Sequence, residues 1–176
     1  MAVGADPWHV RFSQDWDDTE AAVRELSVVG VRVELPSNQP IVLLREVDGD
    51  RYLPIWIGAV EATAIAYEQQ GVKPARPLTH DLMRDVLAAV KTPLKAVEIM
   101  ELKDNVFYAD LILGDNVRVS ARPSDSIALA LRAGAPIRCA EEVLAEAGIV
   151  IPDEQEDEVE KFREFLDQVN PDDFAS

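Results

Sequence analysis

Cysteine occurs once, as Cys139, and histidine only twice, as His9 and His80, in a chain of 176 residues. A lone thiol excludes a disulfide within the chain and fits a reducing compartment, so a cytoplasmic location is expected. The neighbours of that thiol, Pro136-Ile137-Arg138-Cys139-Ala140, include no second thiol and no imidazole. A small buried core side chain is therefore expected there rather than a nucleophile. So few histidines exclude a multi-histidine metal centre within one chain. Any metal would have to be a hard, oxygen-preferring ion such as magnesium or manganese, held mainly by carboxylates. No apolar run approaches the length of a membrane span, and the first residues lack the basic-then-apolar layout of a secretory signal. The sequence has no Gly-rich phosphate loop ending in Lys, no Gly-x-Ser-x-Gly and no His-Glu-x-x-His, so no standard signature marks its chemistry.

Basic residues are scarce as well, 17 against 33 acids, for a formal charge of -16. The imbalance is uneven. Residues up to Glu25 hold six acids and two bases, residues from Asp153 onward hold ten and two, and the middle keeps seventeen acids and thirteen bases. Charge runs of this kind are usually solvated or turned toward a partner, so the acidic tail is a candidate surface for binding another protein. The overall sign opposes tight non-specific binding to nucleic acid, which depends on neutralising phosphates. It leaves room for a local basic site in the middle.

What the chain does have is 48% hydrophobic residues, enough for one domain with a proper core. Its organising stretch is Arg51 to Leu82. Tyr52 to Ile57 reads as a strand, Gly58 breaks it, and Ala62, Ile65 and Ala66 then recur at helical spacing. Val117 to Ala121 and Ser124 to Ala133 repeat that strand-into-helix pattern. A slide of 64 positions lays Glu61 on Asp125, Ala64 on Ala128 and Ala66 on Ala130. Upstream, Ser27 to Leu35 and Ile41 to Val47 read as strands, with Val29, Val31, Val33 and Leu35 on one face and Asp48-Gly49-Asp50 as a hairpin turn. Thr79 can cap a helix running to about Lys91 with Leu82, Val86, Leu87 and Val90 as its apolar stripe. Leu94 to Leu102 and Val106 to Leu113 read as strands, and Ala140 to Ala147 as a short helix. The fold class expected is α+β, mostly antiparallel sheets with helices, as an internal duplication of a β-β-β-α-α unit. Strands joined by short turns cannot be parallel.

The expected organisation is an acidic N-terminal extension over 1–25, one domain over 26–152 and an acidic amphipathic C-terminal helix or tail over 153–176. In the extension Trp8, Phe12 and Trp16 recur four apart; in the tail Val159, Phe162, Phe165, Leu166 and Val169 form a stripe. The hydrophobic strands and the aromatic leader lead us to expect a homo-oligomer, while the tail stripe fits packing on its own domain, on another subunit or on a partner.

Candidate chemistry gathers at helix starts. Arg122-Pro123-Ser124-Asp125-Ser126 puts a guanidinium ahead of a helix N-terminus with Ser124 as its cap, an arrangement suited to a phosphate or carboxylate. Ser124 and Asp125 are also ordinary capping residues, and both readings fit. In Arg76-Pro77-Leu78-Thr79-His80-Asp81, His80 beside Asp81 suits a general base or the holding of a metal-bound water. A partly buried, hydrogen-bonded His80 fits equally. Glu61 stands in the first turn after Gly58, where the helix dipole favours a carboxylate. Tyr52, Trp56 and Tyr108 lie in strands. Such aromatics can stack bases, but core packing is the expectation.

Leu53-Pro54-Ile55-Trp56-Ile57-Gly58, Glu61-Ala62, Arg76-Pro77-Leu78-Thr79-His80-Asp81-Leu82, Phe107-Tyr108-Ala109 and Arg122-Pro123-Ser124-Asp125-Ser126 together resemble the bifunctional nuclease family, over about Leu26 to Val150. The resemblance implies hydrolysis of phosphodiester bonds in RNA and DNA, and we expect RNA and/or single-stranded DNA as the substrate. It makes His80, Asp81, Asp125 and Glu61 the candidate catalytic residues, and Arg76, Arg122 and Ser124 the candidate substrate-binding ones. Glu61 and Asp125 would hold magnesium or manganese, with metal-assisted attack of water on phosphorus as the simplest chemistry. The alternative is a non-catalytic regulatory or protein-interaction domain that binds a small anion or a partner protein. The nuclease reading requires Glu61, His80, Arg122 and Asp125 in one cleft with Arg76 near its rim.

Overall fold

Runs of Val, Ile and Leu at alternate positions build the strands, and short polar turns join them. In the computed structural model, residues 10–11, 22–115 and 117–151 are described. The amphipathic tail and the aromatic leader lie outside them, apart from a two-residue strand β1 (Val10–Arg11). Then come β2 (Val23–Glu34), β3 (Gln39–Glu46), β4 (Arg51–Trp56), α1 (Ala59–Gln69) and α2 (Thr79–Ala89). The second half runs β5 (Leu94–Lys103), β6 (Val106–Leu113), β7 (Val117–Ala121), α3 (Pro123–Ala133), β8 (Ile137–Ala140), α4 (Glu141–Ala147) and β9 (Ile149–Val150). This is an α+β architecture on one sheet of order β1-β7-β6-β5-β8-β2-β3-β4-β9.

Each half is a three-stranded meander, and all pairings are antiparallel except β5 with β8. The order β-β-β-α recurs in both halves, but β8 intervenes between α3 and α4, so the expected duplication of a β-β-β-α-α unit is not established. At the seam sits β8, a strand the sequence does not announce. Its four residues follow Gly134-Ala135-Pro136, and they pair with both β5 and β2 to join the meanders. The strand expected from Ser27 begins instead at Val23, because Val23 to Leu26 pair with β8. A bulge between Val28 and Gly30 breaks the expected Val29-Val31-Val33-Leu35 face, and Leu35 lies beyond the strand, exposed.

The core lies between the sheet and α1 and α3. Val42, Leu44, Leu53, Val97 and Ile99 from the strands meet Ile65, Ile127 and Leu129 from the helices. Each large aliphatic side chain removed from water stabilises the fold by about 1.5–3 kcal/mol. Cys139 joins this interior, and burial pushes its thiol up to about 12, which suits an inert core side chain; Tyr52 is buried as well, with the Arg45 guanidinium over its ring. Small residues let the two helices approach: Ala62 and Ala66 on α1, Ala128 and Ala130 on α3, all buried.

Two expectations fail here. The stripe on α2 is not core, because Leu82, Val86 and Val90 are exposed and α2 packs mainly on α3; only Leu87 reaches the interior. Trp56 is not core either. It closes β4 where the sheet runs out, 54% exposed, with its indole N–H donating to Glu34 Oε2 at 3.2 Å. Among the described residues no helix is long and apolar enough to cross a membrane.

Candidate active site

The helices α1, α2 and α3 begin next to one another, and the first turn of each supplies a polar side chain to a common point. Glu61 is the third residue of α1, His80 the second of α2 and Asp125 the third of α3. The end of β4 leads through Gly58 into α1, and the end of β7 leads through Arg122 into α3, so the repeated strand-into-helix junctions face each other. The 64-residue slide that lays Glu61 on Asp125 therefore relates residues that meet in space.

Arg122 holds them together. Its Nη2 donates to Glu61 Oε1 at 2.7 Å and its Nε to Asp125 Oδ2 at 2.8 Å. The carboxylates, Asp125 first and then Glu61, raise the guanidinium pKa above its ordinary value, so the cation is firmly held. The other oxygen of Asp125 lies 3.1 Å from His80 Nε2. A carboxylate oxygen only accepts, so Nε2 carries the hydrogen and Nδ1 is left as the basic nitrogen. His80 is buried, whereas the Arg122 side chain is more than half exposed. One end of the cluster is thus packed and the other open.

The helix caps differ from those expected. The residue before α3 is Arg122 rather than Ser124, with Pro123 in the first turn, where a missing N–H costs nothing. The residue before α2 is Leu78 rather than Thr79, and its N–H is taken by Asp81 Oδ2 at 2.9 Å. Asp81 turns away from His80. Its other oxygen accepts from Arg132 Nε at 2.6 Å, and Arg132 also donates to the carbonyls of Ala64 and Ala128. Asp81 thereby fixes the start of α2 against α1 and α3, which in turn places His80. Arg76 sits exposed on the connector before α2, with no side-chain bond to any described residue.

Beside Arg122 opens a groove of about 370 Å³, walled by the end of β4, the turn between β5 and β6, and the first residues of α3. Trp56, Asn105, Phe107 and Gln39 line it, along with Ser124, which is only 7% exposed. Sequence reading missed Gln39 and Asn105 altogether, and it placed Trp56 in the core. Nothing local distinguishes a strand-end tryptophan at the edge of a groove from one inside a sheet. Arg132 had a legible signal: it is the one charge after Asp125 in an otherwise apolar helix, and such a charge needs a buried partner.

The donor set does not fit a divalent cation as it stands. Among the described residues no three of His, Cys, Asp and Glu are grouped to hold one, and the Arg122 guanidinium lies between the Glu61 and Asp125 carboxylates. A cation there would have to displace an arginine already neutralising both.

Three helix starts around one arginine, on a sheet of two meanders, define a class that comparison identifies. The sequence pattern of the bifunctional nuclease domain matches residues 42–152. Two uncharacterized proteins of Mycobacterium tuberculosis, from strains CDC 1551 and H37Rv, are each 63% identical over 161 residues, 86% of this chain and 98% of theirs. The chain belongs to the bifunctional nuclease domain family.

Proposed function

We propose that the cluster of Glu61, His80, Arg122 and Asp125 is the catalytic centre of a phosphodiester hydrolase acting on RNA or single-stranded DNA. The observation that carries this reading is the convergence of all four side chains through contacts of 2.7–3.1 Å, although they come from three separate helix starts. Asp125 orients the His80 imidazole, and Nδ1 takes the proton from a water as that water bonds to phosphorus. The bond to the leaving oxygen then breaks, that oxygen departs with the electron pair and takes a proton from water, and the His80 imidazolium releases its proton to solvent. Arg122 has five N–H groups and spends two on carboxylates, which leaves three for the phosphoryl oxygens as their charge grows. Glu61 keeps the guanidinium in place. Asp81 acts on the reaction only by positioning His80, and Arg76, exposed on the connector before α2, would offer a second phosphate contact. Magnesium or manganese remains part of the proposal as a dependence to be measured; no step is routed through it.

The charge of -16, with Arg122 already neutralised by two carboxylates, weighs against a nucleic-acid substrate and keeps open a second reading, a non-catalytic regulatory or protein-interaction domain. We also propose a cytoplasmic location, on the strength of the single, buried cysteine, and a homo-oligomer, on the strength of the exposed apolar face of α2; a monomer by analytical ultracentrifugation would end the second part. Cleavage of labelled single-stranded RNA and DNA, with EDTA, magnesium or manganese, separates the main readings. His80→Ala, Asp125→Ala and Arg122→Ala, each checked for folding, should lose about a hundredfold or more, the scale of lost acid–base catalysis. Variants that cleave as well as wild type would overturn the nuclease reading and leave the binding domain.

A further inference from the structure

The groove beside Arg122 has a composition that the four catalytic candidates do not explain. Trp56 lines it and is more than half exposed, yet the single polar atom of its side chain is already bonded to Glu34. What remains open is apolar ring. Phe107 lies along the same groove. Across from them α3 begins, and its first intrahelical bond is Ser126 N–H to the Arg122 carbonyl. The backbone N–H groups of Ser124 and Asp125 therefore have no carbonyl in the helix to donate to, and they carry the positive end of its dipole. The Ser124 hydroxyl is the second sign of a ligand. It lines the groove, is 7% exposed, and has no hydrogen-bond partner among the described residues. A hydroxyl so buried and unpartnered is costly unless something binds it. Gln39 and Asn105 add carboxamides at the rim, also without side-chain partners among the described residues.

Resting on the nuclease reading, we propose that this groove is a nucleotide subsite, taking one unstacked nucleotide of a single strand: its base lies against Trp56 and its phosphate sits at the start of α3, held by Ser124 and Arg122. The volume of about 370 Å³ lies within the range of small-ligand sites and leaves room for one such unit. A base lies on an indole face only when it has left its own stack, so the subsite selects single strands over duplex. Stacking tolerates any base, and the two carboxamides read whatever edge is presented.

Adenosine 5′-monophosphate is the probe, titrated against full-length protein in a Trp8→Phe, Trp16→Phe background so that Trp56 alone reports by fluorescence. Quenching that saturates is expected, with adenosine and inorganic phosphate each binding more weakly than the nucleotide. Trp56→Ala should weaken cleavage of single-stranded RNA by raising KM at least about fivefold with kcat within about twofold, and Trp56→Phe should restore KM, as stacking energies imply. Ser124→Ala should weaken nucleotide binding about two- to tenfold, the worth of one hydrogen bond. Quenching by the nucleotide in a protein that cleaves nothing would sink the nuclease reading and keep the subsite. Cleavage of RNA with no quenching, and with KM unchanged in Trp56→Ala, would overturn the subsite and keep the nuclease.

Discussion

Arg122 and Arg132 stand at opposite ends of α3 and do different work with the same side chain. Arg132 is buried, its side chain 2% exposed, and it ties three helices together: Asp81 of α2, the Ala64 carbonyl of α1 and the Ala128 carbonyl of its own helix. Its bonds go to groups that cannot leave. Arg122 is 58% exposed in its side chain and touches two carboxylates, with N–H groups to spare. In water-screened surroundings such pairs contribute little stability, commonly 0–1 kcal/mol, so their geometry is better explained by chemistry than by folding. A buried arginine bonded to a carboxylate and two backbone carbonyls is a structural tie; an exposed one held by two anions is a prepared cation.

The comparison breaks most sharply at Arg132. Replacing it by Met leaves the Asp81 carboxylate uncompensated in a partly closed site, and removal of one partner of a buried pair costs about 3–5 kcal/mol. Urea unfolding should show the loss as a lower midpoint, with α2 loosened. A variant as stable as wild type would mean that Asp81 and the two carbonyls find water instead. Arg122→Ala should do the reverse, keeping stability within about 1 kcal/mol while cleavage falls about a hundredfold or more, the scale expected when a charge-stabilising donor is lost. A fall in stability without a fall in rate would make Arg122 a second structural tie.

Much of this was legible in the sequence, and the omissions have physical causes. The meanders show because antiparallel strands with short turns signal themselves locally, by alternation and by Asp-Gly or Gly-Asp turns. Strand β8 does not show, because four residues between a Pro and a helix carry no period, and its pairing is decided by distant strands. At the site, Glu61, His80, Arg122 and Asp125 stand out as polar residues at helix starts, and the 64-residue slide relates two of them before any coordinates are known. Their meeting, and the separation of Asp81 from His80, depend on how the helices pack. Adjacent residues at a helix start point in different directions, so one serves the cluster and the other serves Arg132. The groove depends on the turn between β5 and β6 reaching the end of β4, which no local pattern encodes.

Asp81 sharpens the contrast through pH. Burial is the largest influence on its carboxyl and works to raise the pKa, but the Leu78 N–H and Arg132 together outweigh it, so the folded pKa is lowered. A lowered folded pKa means that the stabilisation is complete above the unfolded value, about 3.9, and is lost as pH falls through the folded one. Asp81→Asn keeps the shape and removes the charge. It should cost about 1.5–3 kcal/mol at neutral pH, the range for a hydrogen bond to a charged group. That deficit should shrink as acid protonates the wild-type carboxyl. A deficit constant from neutral pH to below 3.9 would show that the charge of Asp81 is not what Arg132 needs.

The smallest effect, and the most discriminating, is expected at Gly58, which the same slide lays on Arg122. Its backbone is extended, φ -77° and ψ 156°, so alanine meets no conformational penalty there. The glycine matters for what it leaves empty: a Cβ at this position would overlap Glu61 Oε2. Gly58→Ala should therefore push the Glu61 carboxylate off the side from which it holds Arg122. Stability should change by less than about 1 kcal/mol, since the pair is exposed at its arginine end. If Glu61 keeps the guanidinium in register for phosphate, cleavage should fall by about two- to tenfold, the worth of one hydrogen bond, and Glu61→Gln should fall at least as far. Gly58→Ala cleaving like wild type beside an impaired Glu61→Gln would mean that Glu61 reaches Arg122 equally well from another rotamer. Both variants cleaving like wild type would remove Glu61 from the centre and leave Arg122 answering to Asp125 alone. One junction would then bear the chemistry and its repeat would merely face it.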